Sequence, residues 1–234
     1  MGSSGRTLLV FDFDWTIVDG NTDTEVHKLA RPGSVPELRA GECWTDYMQR
    51  VFCVLHEQGV RRQDYEQCMR AIPFVRGMDT LIKGAGQCPD RFEQIIVSDS
   101  NSFFIQTILE AHGLSGYVSA VFTNPARFDA EGCLRIEYYH RQTECSLSEP
   151  NMCKGRIVDE FVAGRRARGV HFERVAYVGD GKNDYCPVSR LAPQRDHAFA
   201  RAGFTLERLI RENGPPCRVH VWSRGDEIGQ RLAM

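Results

Sequence analysis

The stretch LLVFDFDWT (residues 8–16) joins an apolar run to two aspartates that stand two positions apart. Aspartate is a poor strand former and is costly to bury, so this arrangement calls for an explanation. The chain repeats the layout twice, because QIIVSDSN (94–101) and RVAYVGDG (174–181) are also apolar runs that end in small polar or acidic residues. All three runs are short, rich in Val, Ile and Leu, and do not alternate with polar residues, which is typical of buried parallel strands.

Segments with helical spacing separate these runs. Residues 102–112 have an apolar face and a glycine stop, and residues 155–167 carry the basic cluster GRRARG at their carboxyl end, where cations favour a helix. VHVW (219–222) predicts an edge strand before a last short helix. We therefore predict an α/β fold with a doubly wound, mostly parallel, Rossmann-like sheet. In such sheets the functional site lies at the carboxyl ends of the strands, where all three runs place their polar residues.

A mainly helical cap is predicted between the first and second strands. Residues 41–59 have apolar positions at close to helical spacing, and residues 61–72 continue the pattern. We predict that residues 1–21 and 88–234 form the α/β core and that residues 22–87 form the inserted cap.

Composition restricts the class of protein and its partners. The 234 residues are 42% hydrophobic and 26% charged, as in an ordinary globular protein, and a formal net charge of −2 argues against a nucleic-acid partner. No apolar run approaches the ~20 residues that a membrane-spanning helix needs. The opening MGSSGR and the run after it lack the patterns of a myristoylation site or signal peptide. We expect a cytoplasmic protein without a membrane partner, and its oligomeric state is open.

Nine cysteines, an odd number, are scattered along the chain. In a cytoplasmic setting they are predicted to be reduced thiols. Cys145 and Cys153 come closest to a metal-binding pair, but the seven residues between them make a poor zinc clip. The sequence therefore argues against zinc at this pair.

The polar residues at the strand ends suit phosphoryl-transfer chemistry. Asp12, Asp14 and Asp180 supply hard oxygen donors, which suit Mg²⁺ bound through carboxylates and a substrate phosphate. A carboxylate beside Mg²⁺ can attack phosphorus, while a second one protonates the leaving oxygen and later deprotonates water. Phosphate oxygens also need a hydroxyl and a cation, for which Ser98 and Lys154 are the candidates.

The order of these groups resembles the haloacid dehalogenase-like hydrolases. DFDWT, VSDSN, NMCKG and GDGKND follow the four motifs of that superfamily in order. The resemblance implies that Asp12 is the nucleophile that becomes an aspartyl-phosphate. It implies that Asp14 is the general acid/base and lends its main-chain carbonyl to Mg²⁺, and that Ser98 and Lys154 hold the phosphoryl group.

The same resemblance implies roles for the remaining motif residues. Asp180 joins Asp12 and Asp14 as a metal ligand. Asp184 either supports the metal from outside its coordination sphere or anchors the motif lysine. Thr16 and Asn183 hold the loops in shape.

Longer matches cover nearly the whole chain. FDFDWTIVDGNTDTEV, WTDYMQRVF, IIVSDSNSFFI, VFTNP, NMCKG and YVGDGKNDYCPV resemble the family of pyridoxal phosphate phosphatase and phosphoethanolamine/phosphocholine phosphatase, with a closer likeness to the first. The resemblance implies a Mg²⁺-dependent phosphatase acting on a small phosphorylated metabolite. Pyridoxal 5′-phosphate is the first expectation for the substrate, and phosphoethanolamine or phosphocholine is the alternative.

Other functions share part of this pattern. Phosphoserine phosphatases have the same core motifs, but the position of their amine-binding Glu corresponds by spacing to Asn21 here. An inorganic pyrophosphatase and a phosphometabolite-binding protein without turnover are further alternatives. Receiver-type signalling modules use related chemistry, but they are much shorter and have no cap.

Three positions depart from the family pattern. Trp15 follows the second motif aspartate, where a small or polar residue is expected, and raises the prospect of a crowded pocket. Lys182 places a cation beside a metal-binding aspartate. Ser148, in TECSLSEP, replaces a cysteine that the family often carries before NMCKG, which counts against a metal or redox role for the cysteines there.

Two acids near the site are not required by the four motifs. Asp23 and Asp99 either receive a cationic or hydrogen-bonding group of the substrate or cap the helices that follow them. Trp44, Tyr47 and Met48 either line a pocket for an aromatic substrate or form the core of the cap, and their helical spacing favours the core.

Overall fold

The computed structural model describes residues 5–234, so most of the MGSSGR stretch considered above lies outside the described residues. Six strands form one parallel sheet, and two more form a separate antiparallel hairpin. The sheet strands are β1 (Arg6–Phe11), β2 (Phe92–Asn101), β3 (Ala120–Asn124), β6 (Phe172–Gly179), β7 (His197–Arg201) and β8 (Arg218–Trp222). The hairpin strands are β4 (Ala126–Phe128) and β5 (Leu134–Ile136).

Nine α-helices are present among the described residues, and 3₁₀ turns occur at Val26–Leu29 and Ser115–Tyr117. The helices are α1 (Thr22–Glu25), α2 (Trp44–Glu57), α3 (Arg62–Arg70), α4 (Met78–Gly86), α5 (Ser102–Ala111), α6 (Lys154–Ala167), α7 (Tyr185–Val188), α8 (Thr205–Asn213) and α9 (Gly225–Arg231). The helices predicted over residues 102–112 and 155–167 correspond to α5 and α6, and the GRRARG cluster lies at the carboxyl end of α6.

The sheet order β3-β2-β1-β6-β7-β8 places β1 in the interior of the sheet. Leu9 and Phe11 pack into one apolar cluster, while Leu8 and Val10 pack into a second one. Both faces of β1 are therefore covered, which explains why its apolar run does not alternate with polar residues. The predicted α/β class is confirmed, and VHVW is found in β8 at one edge of the sheet.

Strand register brings the three polar strand ends to the same side of the sheet. Phe11 pairs with Ile96 of β2 and with Val178 of β6, and the amide of Asp12 donates to the Val178 carbonyl at 2.9 Å. The DFD, SDS and GDG stretches, which lie at or next to the carboxyl ends of these strands, are consequently neighbours although they are far apart in sequence.

Helices α1–α3 and the β4–β5 hairpin cover this end of the sheet. The hairpin was not predicted. Gln49 of α2 holds β5 through its side-chain amide, which accepts from the Ile136 amide at 3.0 Å and donates to the Leu134 carbonyl at 3.3 Å. Tyr47 and Met48 are buried in the apolar cluster that includes the cap, as their spacing favours.

Helix α4 lies within the segment predicted as cap, yet it packs against β2 and α9 of the sheet layer. The two chain segments that lead into and out of α1–α3 pair with each other, since Val18 forms a bridge with Phe74 and the Asp19 amide donates to the Pro73 carbonyl at 2.7 Å. The boundary of the cap at residue 87 remains a prediction. Within residues 5–234 no helix has the length and apolar character needed to cross a membrane.

Candidate active site

Lys154 lies at the centre of the polar cluster, at the first position of α6. It is only 1% exposed, and its Nζ is 2.9 Å from Asp12 Oδ2 and 2.8 Å from Asp184 Oδ1. Burial lowers the pKa of Lys154, but the two carboxylates outweigh this effect and the net pKa is raised. The side chain is therefore a fixed ammonium group beside Asp12.

Asp184 uses both carboxylate oxygens for hydrogen bonds inside the protein. Besides Lys154, its Oδ1 accepts from the Tyr177 hydroxyl at 2.6 Å. Its Oδ2 accepts from the amides of Asp180 and Gly181 at 3.0 and 2.8 Å. Of the two roles left open by the sequence, this geometry matches an anchor for Lys154 and for the GDG turn.

Asp12, Asp180 and Asp184 bring carboxylate oxygens within 4.8 Å of one another. Burial, followed by repulsion from Asp184, raises the pKa of Asp180 to about 8 and raises the pKa of Asp12 well above its usual range. Thr16 Oγ1 lies 3.3 Å from Asp180 Oδ1 and is its hydrogen-bond donor. One ammonium group does not balance three buried carboxylates, so this cluster of hard oxygen donors fits a divalent cation such as Mg²⁺.

Asp14 is oriented by Thr22 at the start of α1. The amide and hydroxyl of Thr22 donate to the two oxygens of Asp14 at 2.9 and 3.1 Å, and the same hydroxyl lies 2.7 Å from Ser100 Oγ. Burial, followed by the nearby carboxylate of Asp23, raises the pKa of Asp14 well above its usual range. A raised pKa favours the protonated form of Asp14, which is the form that a general acid requires.

Ser98 is fully buried in β2, three residues before that strand ends at Asn101. Phe11 pairs with Ile96, so Ser98 lies beside the DFD stretch that follows the neighbouring strand β1. Its Oγ accepts a hydrogen bond from the Ser100 amide at 3.3 Å. The hydroxyl proton of Ser98 is therefore available for another acceptor.

The capping interpretation of Asp23 and Asp99 is wrong. The side chain of Asn21 caps α1, and the side chain of Asn101 caps α5. Each Asn immediately precedes its helix, where an N-cap residue accepts from the first turn, whereas Asp23 lies inside α1 and Asp99 lies inside β2. Asn21 is thus occupied as a cap at the position that the resemblance compared with the amine-binding Glu of phosphoserine phosphatases.

Asp23 is a buried carboxylate with one free oxygen. Trp44 Nε1 donates to its Oδ2 at 2.7 Å, while its Oδ1 is buried without a hydrogen-bond partner among residues 5–234. Burial raises the pKa of Asp23 to about 7. This contact places Trp44 beside Asp23. Trp44 is less buried than Tyr47 and Met48, so it is not wholly inside the cap core.

Asp99 is half-buried and is held on both sides. Its Oδ2 accepts from Asn183 Nδ2 at 2.8 Å, and its main-chain carbonyl accepts from Asn124 Nδ2 at 2.7 Å. Asn183 therefore links the GDGKND turn to the SDS stretch of β2, in keeping with its expected role in loop shape.

Two departures from the family pattern, Trp15 and Lys182, have exposed side chains. Trp15 has φ 55°, and its ring packs 5.9 Å from that of Phe204 with 38% of the residue exposed. Arg201 holds the strained turn by donating to the Trp15 carbonyl at 2.6 Å. The Trp15 ring therefore lies on a surface aromatic pair, and the Lys182 side chain is exposed as well.

Several residues that shape the site were missed by sequence reasoning. Tyr177 and Thr22 hold Asp184 and Asp14, and Asn124 holds the Asp99 main chain. Tyr177, two positions before GDG and inside an otherwise aliphatic run, was the one available signal, since a tyrosine hydroxyl needs a partner when it is buried. The partners of the other two depend on tertiary contacts.

Comparisons with known proteins agree with this geometry. The family model described as “Putative Phosphatase” matches residues 7–234. The human pyridoxal phosphate phosphatase PHOSPHO2 is 40% identical over 236 residues, with 97% of each chain covered. The human phosphoethanolamine/phosphocholine phosphatase is 41% identical over 211 residues, which cover 88% of this chain and 78% of that protein.

A solved structure of a substrate-bound phosphoserine phosphatase superposes with a TM-score of 0.63 and covers 97% of this chain and 98% of its own. Its sequence is only 16% identical, so it supports the shared fold and not the substrate.

Proposed function

The chain belongs to the “Putative Phosphatase” family of haloacid dehalogenase-type hydrolases, and on that premise we propose that it hydrolyses pyridoxal 5′-phosphate in a Mg²⁺-dependent reaction. The observation that carries the phosphatase assignment is the buried contact between Lys154 Nζ and Asp12 Oδ2 at 2.9 Å. It sets a nucleophilic carboxylate and a phosphate-binding cation side by side, with Asp180 within metal-binding reach.

Asp12 begins the proposed reaction by attacking the phosphorus atom. The new bond joins a carboxylate oxygen of Asp12 to phosphorus, and the ester bond to the leaving oxygen breaks. Asp14 gives its proton to that oxygen, so the product leaves as an alcohol. Ser98 and Lys154 bind the oxygens of the phosphoryl group as it moves.

The second half of the reaction restores the enzyme. Asp14, now ionised, takes a proton from a water molecule whose oxygen attacks the phosphorus atom. The bond between phosphorus and the Asp12 oxygen breaks, inorganic phosphate leaves, and both aspartates return to their starting states. Asp184 takes no part in bond making and keeps Lys154 in place.

Asp12, the main-chain carbonyl of Asp14 and Asp180 would hold Mg²⁺, which supplies positive charge for the phosphate oxygens and for the crowded carboxylates. The raised pKa values of Asp12 and Asp180 support this proposal, because burial and then repulsion from Asp184 disfavour the ionised carboxylates, and a bound cation would offset both effects.

Pyridoxal 5′-phosphate is favoured by the extent of similarity, since the match to the pyridoxal phosphate phosphatase spans 97% of that protein. Phosphoethanolamine or phosphocholine is the second candidate. The specific observation in its favour is the free, buried Asp23 Oδ1, which offers an acceptor for a cationic group.

The test is phosphate release from a panel of substrates, with Mg²⁺ or with a chelator. The panel holds pyridoxal 5′-phosphate, phosphoethanolamine, phosphocholine, phosphoserine, pyrophosphate and an aryl phosphate. We expect the highest kcat/KM for pyridoxal 5′-phosphate, and a loss of at least about 10³-fold in Asp12→Asn, which removes the nucleophile. Activity that survives in Asp12→Asn rejects the mechanism, while a different ranking rejects only the substrate.

Substrate choice is predicted to depend on Asp23 and Asp99. Asp23→Asn and Asp99→Asn keep the size of each side chain but remove its charge, so they should raise KM for the preferred substrate by about tenfold, the effect of one charge-assisted hydrogen bond. The aryl phosphate is the internal control, because it lacks an amine or pyridine group. Equal changes for all substrates would remove these residues from recognition.

A further inference from the structure

Three cysteine thiols converge beside the active site. Cys186 Sγ lies 3.4 Å from Cys145 Sγ and 3.7 Å from Cys153 Sγ, and all three sulfurs lie within 4.8 Å of one another. From the sequence alone, only Cys145 and Cys153 were considered as metal ligands. Cys186, in α7, supplies the third ligand atom that this pair lacked.

The sulfur spacing matches a tetrahedral thiolate site. Bonds of about 2.3 Å from zinc to sulfur place the sulfurs of such a site about 3.8 Å apart. The Ser148 hydroxyl adjoins the thiols of Cys145 and Cys186, and its oxygen is buried without a partner at hydrogen-bonding geometry among residues 5–234. The three sulfurs could therefore supply three ligand atoms, and the unpaired Ser148 hydroxyl lies next to the fourth ligand position.

The loop that carries Cys145 is held in shape by Gln142. Its Oε1 accepts from the Cys145 amide at 2.9 Å, and its Nε2 donates to the Glu149 carbonyl at 2.8 Å. The Ser148 amide donates back to the Cys145 carbonyl at 3.2 Å and closes a turn. This turn presents Cys145 and Ser148 to the same side.

The surroundings hold Cys186 close to the start of α6 and supply positive charge. A Cβ atom at Gly155 would lie 2.7 Å from Cys186 Sγ and 2.6 Å from Arg190 Nε, so only glycine admits this approach. Arg190 Nη2 lies 3.8 Å from Cys153 Sγ, where a cation favours thiolate over thiol.

We propose that Cys145, Cys153 and Cys186 bind a soft divalent cation, zinc, with Ser148 or a water molecule at the fourth position. Soft sulfur donors separate this site from the hard carboxylate site, which suits Mg²⁺. Binding replaces the thiol protons and forms three metal–sulfur bonds without any change of oxidation state. The ion ties the 142–149 loop to the residues next to Lys154 and Asp184, and this role is independent of the substrate.

The test measures zinc in the full-length protein, purified under reducing conditions after growth with added zinc. We expect about one zinc per chain in the wild type and its loss in Cys145→Ser, a change in a half-buried loop residue. Cys88→Ser, at an exposed cysteine outside the cluster, and Asp180→Asn, in the carboxylate site, should both retain the ion. Cobalt substitution adds a second measurement, because sulfur ligation gives an intense charge-transfer band that Cys145→Ser should weaken.

Ser148→Cys completes a four-sulfur site and should retain zinc longer against a chelator than the wild type. This variant keeps the proposal testable if Cys145→Ser folds poorly. Zinc that is absent from the wild type, or that is lost in Asp180→Asn and kept in Cys145→Ser, would overturn the proposal. A disulfide between Cys145 and Cys186, detected by mass spectrometry of the alkylated chain, would overturn it as well.

Discussion

Lys154 is held in place by Asp184, a fully buried carboxylate. Asp184 accepts hydrogen bonds from Lys154, from Tyr177 and from two main-chain amides, so it fixes the lysine and the GDG turn together. A buried network of this kind is stable only while each polar group keeps its partner.

Tyr177→Phe tests this network by removing one hydroxyl group, the one that donates to Asp184. Loss of a hydrogen bond to a charged acceptor should cost about 1–3 kcal/mol of unfolding free energy, measured in urea, and should lower kcat more than it changes KM. Tyr65→Phe is the matched control. Tyr65 is equally buried, but its hydroxyl has no partner in the part of the chain that the structure describes, so its removal should be neutral or stabilising. Similar losses in both variants would contradict the assigned role.

Sequence reasoning reached the carboxylates, the lysine and the serine of the candidate site but not the residues that hold them. The residues that it reached belong to motifs at predicted strand or helix ends, and a parallel sheet topology is enough to bring them together. They are Asp12, Asp14, Ser98, Lys154 and Asp180. Asp23 and Asp99 were interpreted as possible helix caps because acids near helix starts often cap. The asparagines next to those helices do so instead.

At the scale of elements, α9 packs against α4 through a contact between glycines. The Gly225 amide donates to the Arg76 carbonyl at 2.9 Å, and a Cβ at Gly225 would lie 2.6 Å from the Met78 amide and closer still to the Gly77 carbonyl group. The two backbones therefore approach to a distance that excludes any side chain.

Gly225→Ala should accordingly destabilise the protein by about 1–3 kcal/mol through overpacking, despite the better helix propensity of alanine. Gly229→Ala, in the same helix, is the control, because its Cβ would meet Leu81 Cδ1 at an ordinary 3.6 Å. We expect this control to be neutral or slightly stabilising. Urea unfolding of the two variants measures the difference, and equal stabilities would refute the close backbone approach.

The elements that sequence reasoning found share a strong local signal, and the ones it missed do not. Strands β1, β2 and β6 are continuous apolar runs because both their faces are covered. Strand β3 lies at an edge with exposed positions, and β4 and β5 have three residues each, so their apolar patterns are short and interrupted. Their pairing depends on α2 and on β2, which lie elsewhere in the sequence.

At the scale of the whole molecule, the carboxylate cluster makes stability depend on pH and metal together. Asp180 has a pKa of about 8 in the folded protein, against about 3.9 for an unperturbed aspartate. Between these values the folded state binds a proton that the unfolded state releases. The contribution of Asp180 to stability therefore falls as pH rises through this window, by up to about 1.4 kcal/mol per pH unit.

Added Mg²⁺ should reverse this loss, because it binds the ionised carboxylates. We expect Mg²⁺ to raise the Tm more at pH 8.5 than at pH 6.5, and Asp180→Asn to reduce that difference. Thermal unfolding in chelator and in Mg²⁺ at both pH values provides the measurement. A Mg²⁺ effect that is the same at both pH values would show that Asp180 does not titrate in this range.

The interior place of β1 in the sheet has a consequence for biosynthesis. β1 precedes every other strand in the sequence, yet it pairs with β2 and with β6, which begins at Phe172. At ordinary translation rates, β6 leaves the ribosome on the order of ten to thirty seconds after β1. During that interval the apolar LLVF run has no permanent partner on one side and is a target for chaperones. The candidate site can therefore form only late in synthesis, because Asp12 gains its neighbours Asp180 and Asp184 only after β6 has been translated.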